Sequence, residues 1–183
     1  MRYLSQSVPA LLAALLLGAL SSFGDWLWTH FLTDGAILPG VLHGVAIFAV
    51  LAAVLAAHAG TSRAFKVLMP SLPVAGLVIA AAFYPIAMLT GYLPALLITW
   101  VAMWLTLAVL QRRARGNGES MNRALIRGLL AAVGSGAAFA SVSHMWTAPA
   151  PGGPNYLLHF VYWSFAFLPG FLALMVDQAD AEP

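Results

Sequence analysis

Long apolar runs alternate with short polar breaks along the whole chain. A bilayer hydrocarbon core about 30 Å thick is crossed by about 20 helical residues at a rise of 1.5 Å each. Runs of that order occur six times, at about 8–23, 37–57, 67–89, 93–110, 124–143 and 156–176. The breaks carry turn formers: Thr33-Asp34-Gly35 and Pro39-Gly40 before and at the start of the second run, Ala59-Gly60-Thr61-Ser62 after it, and Thr90-Gly91-Tyr92 with Pro94 between the third and fourth. Arg115-Gly116-Asn117-Gly118 forms a hydrophilic loop, and the proline- and glycine-rich stretch 149–155 joins the last two runs. The pattern predicts an all-α, polytopic membrane protein. It has six transmembrane helices in one domain over 1–183, with no internal repeat of fixed period.

Composition agrees. Of 183 residues 62% are apolar and 8% charged, against about 25% charged in soluble domains, which excludes a water-soluble enzyme. With no cysteine, disulfides, thiolate nucleophiles, iron–sulfur clusters and Cys-based zinc sites are excluded too. The pI near 9.3 rests on a net charge of only +2, too little to point to nucleic acid. Charge is informative instead as an orientation code. Arg2, Arg63, Lys66, Arg112, Arg113, Arg115, Arg123 and Arg127 all fall in or beside segments that lie on one side if six spans are crossed. The positive-inside rule makes that side, and both termini, cytoplasmic. Arg2 followed by the apolar run 11–20 and Ser21-Ser22 also fits a cleaved signal peptide. Its removal would leave an odd number of spans and break the charge asymmetry. Seven arginines to one lysine, with abundant Ala and Gly, suit a bacterial chain of the inner membrane.

The same topology gathers polar residues on the opposite, outer side. Asp25 and His30 follow the first span, His43 lies about two turns into the second, His144 ends the fifth and His159 begins the sixth. Trp26, Trp28, Tyr84, Tyr92, Trp146, Tyr156, Tyr162 and Trp163 lie at that level, with Trp100 and Trp104 deeper and one turn apart. Loop-borne members read as an interfacial aromatic belt. His43 lies too deep for that and calls for a buried partner, for which an Asp25–His43 hydrogen bond between the first two helices is the expectation. The candidate ligand-binding set is therefore Asp25, Trp28, His43, Tyr84, Trp100, Trp104, His144, His159 and Trp163.

The alternative is metal or haem ligation by Asp25, His30, His43, His144 and His159, as in a redox protein or small transporter. No HxxxH, HExxH or DxxxD motif supports it, and Asp25 and His30, five apart, do not share a helix face. A proton path would also need titratable groups at several depths, and the inner half shows none. Ser164 lacks a GxSxG context. No catalytic residue and no cofactor is expected, and the chain reads as non-enzymatic.

Small residues mark close helix packing: Gly40 and Gly44 in the second span, and Gly128, Ala132, Gly136 and Ala140 in the fifth. They suit packing within the chain or a homo-oligomeric or membrane-protein partner. Pro70, Pro73, Pro85 and Pro169 interrupt backbone hydrogen bonding inside spans. Bent helices lined by Met69, Met88, Met103, Phe83, Phe165 and Phe167 suit a pocket for an apolar ligand, membrane lipids first among the partners.

Six spans in a short chain, Gly24-Asp25 closing the first, a short aromatic-rich loop and Pro39-Gly40 opening the second resemble the Insig-like membrane proteins, including their bacterial relatives. That family tends to open the second span with paired tryptophans and prolines, where this chain has Ile37-Leu38-Pro39-Gly40. The resemblance implies a non-enzymatic six-helix protein that holds a lipid or sterol-like molecule in a central cavity and regulates a membrane partner.

Overall fold

The computed structural model describes residues 2–31, 37–116, 118–143 and 155–175, without the side chains of 2–6, 28–29, 31 and 143. These residues form six helices and no strand: α1 Arg2–Phe31, α2 Ile37–Ala59, α3 Ser62–Thr90, α4 Tyr92–Arg115, α5 Met121–Ser143 and α6 Tyr156–Met175. Each contains a segment long and apolar enough to cross a membrane. In lipid a backbone must satisfy its own polar groups, so apolar runs of this length fold as helices.

The helices overrun the apolar runs wherever a polar residue finds a partner. α1 continues past the first run to Phe31, so Asp25 and His30 are helical rather than loop-borne. α4 takes in Arg112 and Arg113. α3 runs unbroken through Pro70, Pro73 and Pro85, although each proline deprives the carbonyl four residues earlier of its donor. Its start is capped by Thr61, whose hydroxyl accepts from the Ala64 amide at 3.1 Å. Gly91, at φ +89°, is the single residue joining α3 to α4, and left-handed Gly116 ends α4. Only glycine takes such angles without strain.

Every helix packs on its chain neighbours, and α1 packs extensively on α6, closing a ring in chain order. The α1–α2 seam is the lightest contact in that ring, and α2 touches α4 across the middle. All six helices feed one apolar core, whose largest fully buried members include Leu17, Leu51, Leu68, Trp104, Leu107 and Phe171. The outward faces are apolar as well: Leu89 is 85% exposed, Leu157 72% and Val133 68%. A surface of that kind requires lipid as its solvent. Consecutive helices run antiparallel, so all eight basic residues lie at the end where α1, α3 and α5 begin.

Glycines set the closest approaches. Gly44 faces Ala80 on α3 and Gly76 faces Phe48 on α2, so Gly44 serves packing within the chain. Gly128 meets Leu105 and Ala108 of α4, whereas among the described residues a Cβ at Gly136 would meet open space and Ala140 is exposed. Residues four apart advance about 40° around a helix per step, so this stripe winds away from α4 instead of forming one seam.

Gly18 is the tightest point between α1 and α6. A Cβ there would lie 2.1 Å from Ser164 Oγ, 2.9 Å from the Ser164 amide nitrogen and 3.1 Å from the Phe160 carbonyl oxygen. The hydroxyl can rotate away, but the backbone atoms cannot. Gly18→Ala is expected to cost about 1–3 kcal/mol, read as a lower unfolding midpoint in detergent. Adding Ser164→Gly should restore only part of it; full restoration would show that the backbone approach is not limiting.

Candidate functional site

The α1–α6 crossing at Gly18 carries Asp25, two turns further along α1, to the beginning of α6. Trp163 donates its indole N–H to Asp25 Oδ2 at 2.9 Å. His159 Nδ1 lies 3.2 Å from the same oxygen. With Asp25 ionised that oxygen only accepts, which places the imidazole proton on Nδ1. His159 and Trp163 are four residues apart and share one face of α6. The imidazole is buried at 5% exposure, while the carboxylate side chain keeps 29%.

His43 reaches this site from α2. A Cβ on Gly24 would fall 2.1 Å from His43 Cε1 and 2.5 Å from Nδ1, so the imidazole lies directly on the α1 backbone beside Asp25. A side chain there would displace the ring from this position. Sequence reasoning looked to α2 for the partner of Asp25; the structure supplies two donors from α6, with His43 alongside.

An aromatic column leads from the site into the core. Trp163 stacks on Phe167 and on Phe139, with centroids 5.8 and 5.6 Å apart. Trp100 stacks on Phe167 at 5.4 Å and donates its N–H to Ser135 Oγ at 2.9 Å. Trp104 follows one turn deeper, edge-on to Trp100 at 6.4 Å and to Phe171 at 5.5 Å. Offset and edge-on pairs of this kind satisfy the aromatic quadrupole and fill the space between α4, α5 and α6.

Of the nine candidate ligand-binding residues, Asp25, His159 and Trp163 meet, His43 adjoins them, and Trp100 and Trp104 connect through the column. Tyr84 sits apart, edge-on to Phe83, which in turn meets Tyr92. His144 and the side chain of Trp28 lie outside the described residues. His30 donates from Nδ1 to the Trp26 carbonyl at 2.9 Å within its own helix, and its ring lies 5.1 Å from that of Trp26. Among the described residues, no three His, Asp or Glu groups converge as metal ligands would. The expected apolar lining is also redistributed. Met69, Met88 and Phe165 face outward, and Met103 and Phe167 are core residues. A cavity lies elsewhere, between α3 and α4.

Sequence reasoning missed a second polar cluster, at the basic end. Arg127, only 6% exposed, donates to Gln111 Oε1, to the Leu174 carbonyl and to Glu119 Oε2, each at 2.9 Å. Its signal was available, since a charge inside an apolar run calls for a buried partner. The half of the bundle at the basic end therefore does hold ionisable groups, contrary to the expectation that it has none.

Comparison with protein-family models, with characterised proteins and with solved structures gives no match in any of the three. The fold and composition define a multi-pass α-helical integral membrane protein.

Proposed function

We propose that this protein binds a lipid-like amphipathic molecule between its helices, without catalysing a reaction on it, and that Asp25 recognises the polar end of that molecule. The observation that supports this is the Asp25 carboxylate, which meets two α6 donors at Oδ2 and is still 29% exposed. A carboxylate within a span is costly and persists where it serves a purpose. As an acceptor, it suits a hydroxyl or amine at the ligand's polar end. His43 and Asp25 stand at the lightly packed α1–α2 seam, the natural entry from lipid, and the aromatic column behind Trp163 offers flat apolar walls. By the positive-inside rule the basic end faces the cytoplasm, so the site belongs to the outer leaflet of an inner membrane. A regulatory role of the kind the Insig-like resemblance implies fits a site that binds without reacting.

The test is mass spectrometry of the organic extract of purified protein, together with metal analysis. Wild type should carry one lipid class in near-stoichiometric amount. Asp25→Asn is isosteric but loses the charged acceptor, which is worth about 1.5–3 kcal/mol, so retention should fall about 10- to 100-fold. Trp163→Phe, which keeps the carboxylate, should fall less. Unchanged retention in Asp25→Asn overturns the proposal. Stoichiometric metal lost in His43→Ala would assign the site to a redox or transport protein instead.

A further inference from the structure

The cavity between α3 and α4 lies well away from Asp25, toward the basic end. Its volume is about 650 Å³, and its walls include Pro70, Ser71 and Val74 of α3 and Leu105, Thr106 and Arg113 of α4. That volume lies within the range of about 300–1,000 Å³ common for small-molecule sites. It opens outward: Val74 on its wall is 61% exposed. Along α4 the cavity extends from Leu105 to Arg113, about 12 Å at the helical rise, which keeps it within one leaflet of a core about 30 Å thick.

Cations collect where this groove meets the basic end. Arg113 is itself part of the wall. On α3, Arg63, Lys66, Pro70 and Val74 follow one another at helical spacings of three and four, so a single face leads from two cations into the apolar groove. Arg63 Nε donates to the Arg113 carbonyl at 3.1 Å, and its guanidinium lies against Gly116. Arg113 on the wall, with Lys66 and Arg63 one and two turns before Pro70 on α3, thus brings three cations to the basic end of an apolar slot open to lipid and one leaflet deep.

We infer that this groove seats an anionic phospholipid of the leaflet at the basic end, one acyl chain along Val74 and Leu105 and the phosphate among Arg113, Lys66 and Arg63. Charge complementarity selects the headgroup. Each juxtamembrane cation contributes about fivefold to affinity for an anionic headgroup, whereas a zwitterionic lipid brings a cation of its own into the same cluster. The site is independent of the outer one, so Asp25→Asn leaves it unchanged.

The experiment is native mass spectrometry of the full-length protein in detergent, titrated with dioleoylphosphatidylglycerol or dioleoylphosphatidylcholine. The glycerol lipid should be retained preferentially. Combined Lys66→Gln and Arg113→Gln should lower its retention about 25-fold and leave the choline lipid little changed. Val74→Trp, at an exposed position that tolerates bulk, fills the slot without altering charge and should lower retention of both. Equal retention of the two lipids by wild type overturns the inference, as does a phosphatidylglycerol adduct that survives both variants. Displacement of that adduct by inorganic phosphate alone would reduce the site to an anion patch. A dimer abolished by Val74→Trp would assign the groove to a second copy of the chain.

Discussion

Arg127→Met is expected to destabilise the folded protein by about 3–5 kcal/mol, the range found when one partner of a buried ion pair is removed. Arg127 ties four parts of the chain together at the basic end. It bonds Gln111 near the end of α4, Glu119 in the α4–α5 connection and the carbonyl of Leu174 in the last turn of α6. The last carbonyls of a helix have no intrahelical donor and carry partial negative charge; Arg127 and Arg115, whose NH2 lies 3.2 Å from the same Leu174 oxygen, supply both needs. Methionine keeps an unbranched apolar stem, though a shorter one, and fills much of the space. What is lost is chiefly the charge and its donors, including the guanidinium that bonds the Glu119 carboxylate, itself about 9% exposed.

Arg127→Lys should fall between the two, because an ammonium cannot present a planar fork to acceptors in different directions. Combining Arg127→Met with Glu119→Gln should recover part of the loss, since both members of the buried pair are then uncharged. Unfolding by denaturing detergent, followed by tryptophan fluorescence across the double-mutant cycle, measures the coupling. A loss under about 1 kcal/mol would place this cluster in the class of solvated surface pairs.

The six helices were legible because lipid imposes one rule on every span, a continuous apolar run folded as a helix. What the rule leaves open is where a helix stops and which helices touch. His30 continues α1 beyond the apolar run because its ring bonds the Trp26 carbonyl one turn back, a local contact that hydropathy does not register. The partner of Asp25 was less accessible still. His159 is 134 residues away, and its choice depends on α1 lying against α6, which is settled by the close approach at Gly18. That glycine lies on a stripe of small residues four apart, Ala10, Ala14, Gly18 and Ser22, all buried; the spacing marks a close approach, but only the neighbouring backbone shows that α6 is the partner. The Gly128–Ala140 stripe shows the reverse, a regular spacing in which a Cβ at Gly136 would meet no atom of the described residues within 4 Å. Residue type and depth thus indicated which residues needed partners, while helix adjacency decided who those partners are.

Trp104 offers the sharpest separation between packing and polarity in the core. It is fully buried and lies so close to α6 that a Cβ on Gly170 would fall 2.3 Å from its Cη2 and Cζ2 atoms. Phe171 and Trp100 meet it edge-on and Phe167 at a tilt. Trp104→Ala removes all of these contacts and leaves a large cavity among α4, α5 and α6. The expected cost is about 3–5 kcal/mol, read as a large fall in unfolding midpoint. Trp104→Phe should behave differently. The Trp104 indole nitrogen has no hydrogen-bond partner among the described residues, and a buried unsatisfied donor costs about 1–3 kcal/mol. Phenylalanine sheds that cost, which offsets the smaller ring's lost contacts, so this variant should lie within about 1 kcal/mol of wild type. Trp100→Phe, by contrast, abandons a formed bond to Ser135 and should cost more than Trp104→Phe even though Trp100 is the less buried of the two. If Trp104→Phe proves as damaging as Trp104→Ala, the indole N–H is satisfied in the folded protein, and the column is held by polarity as well as by packing.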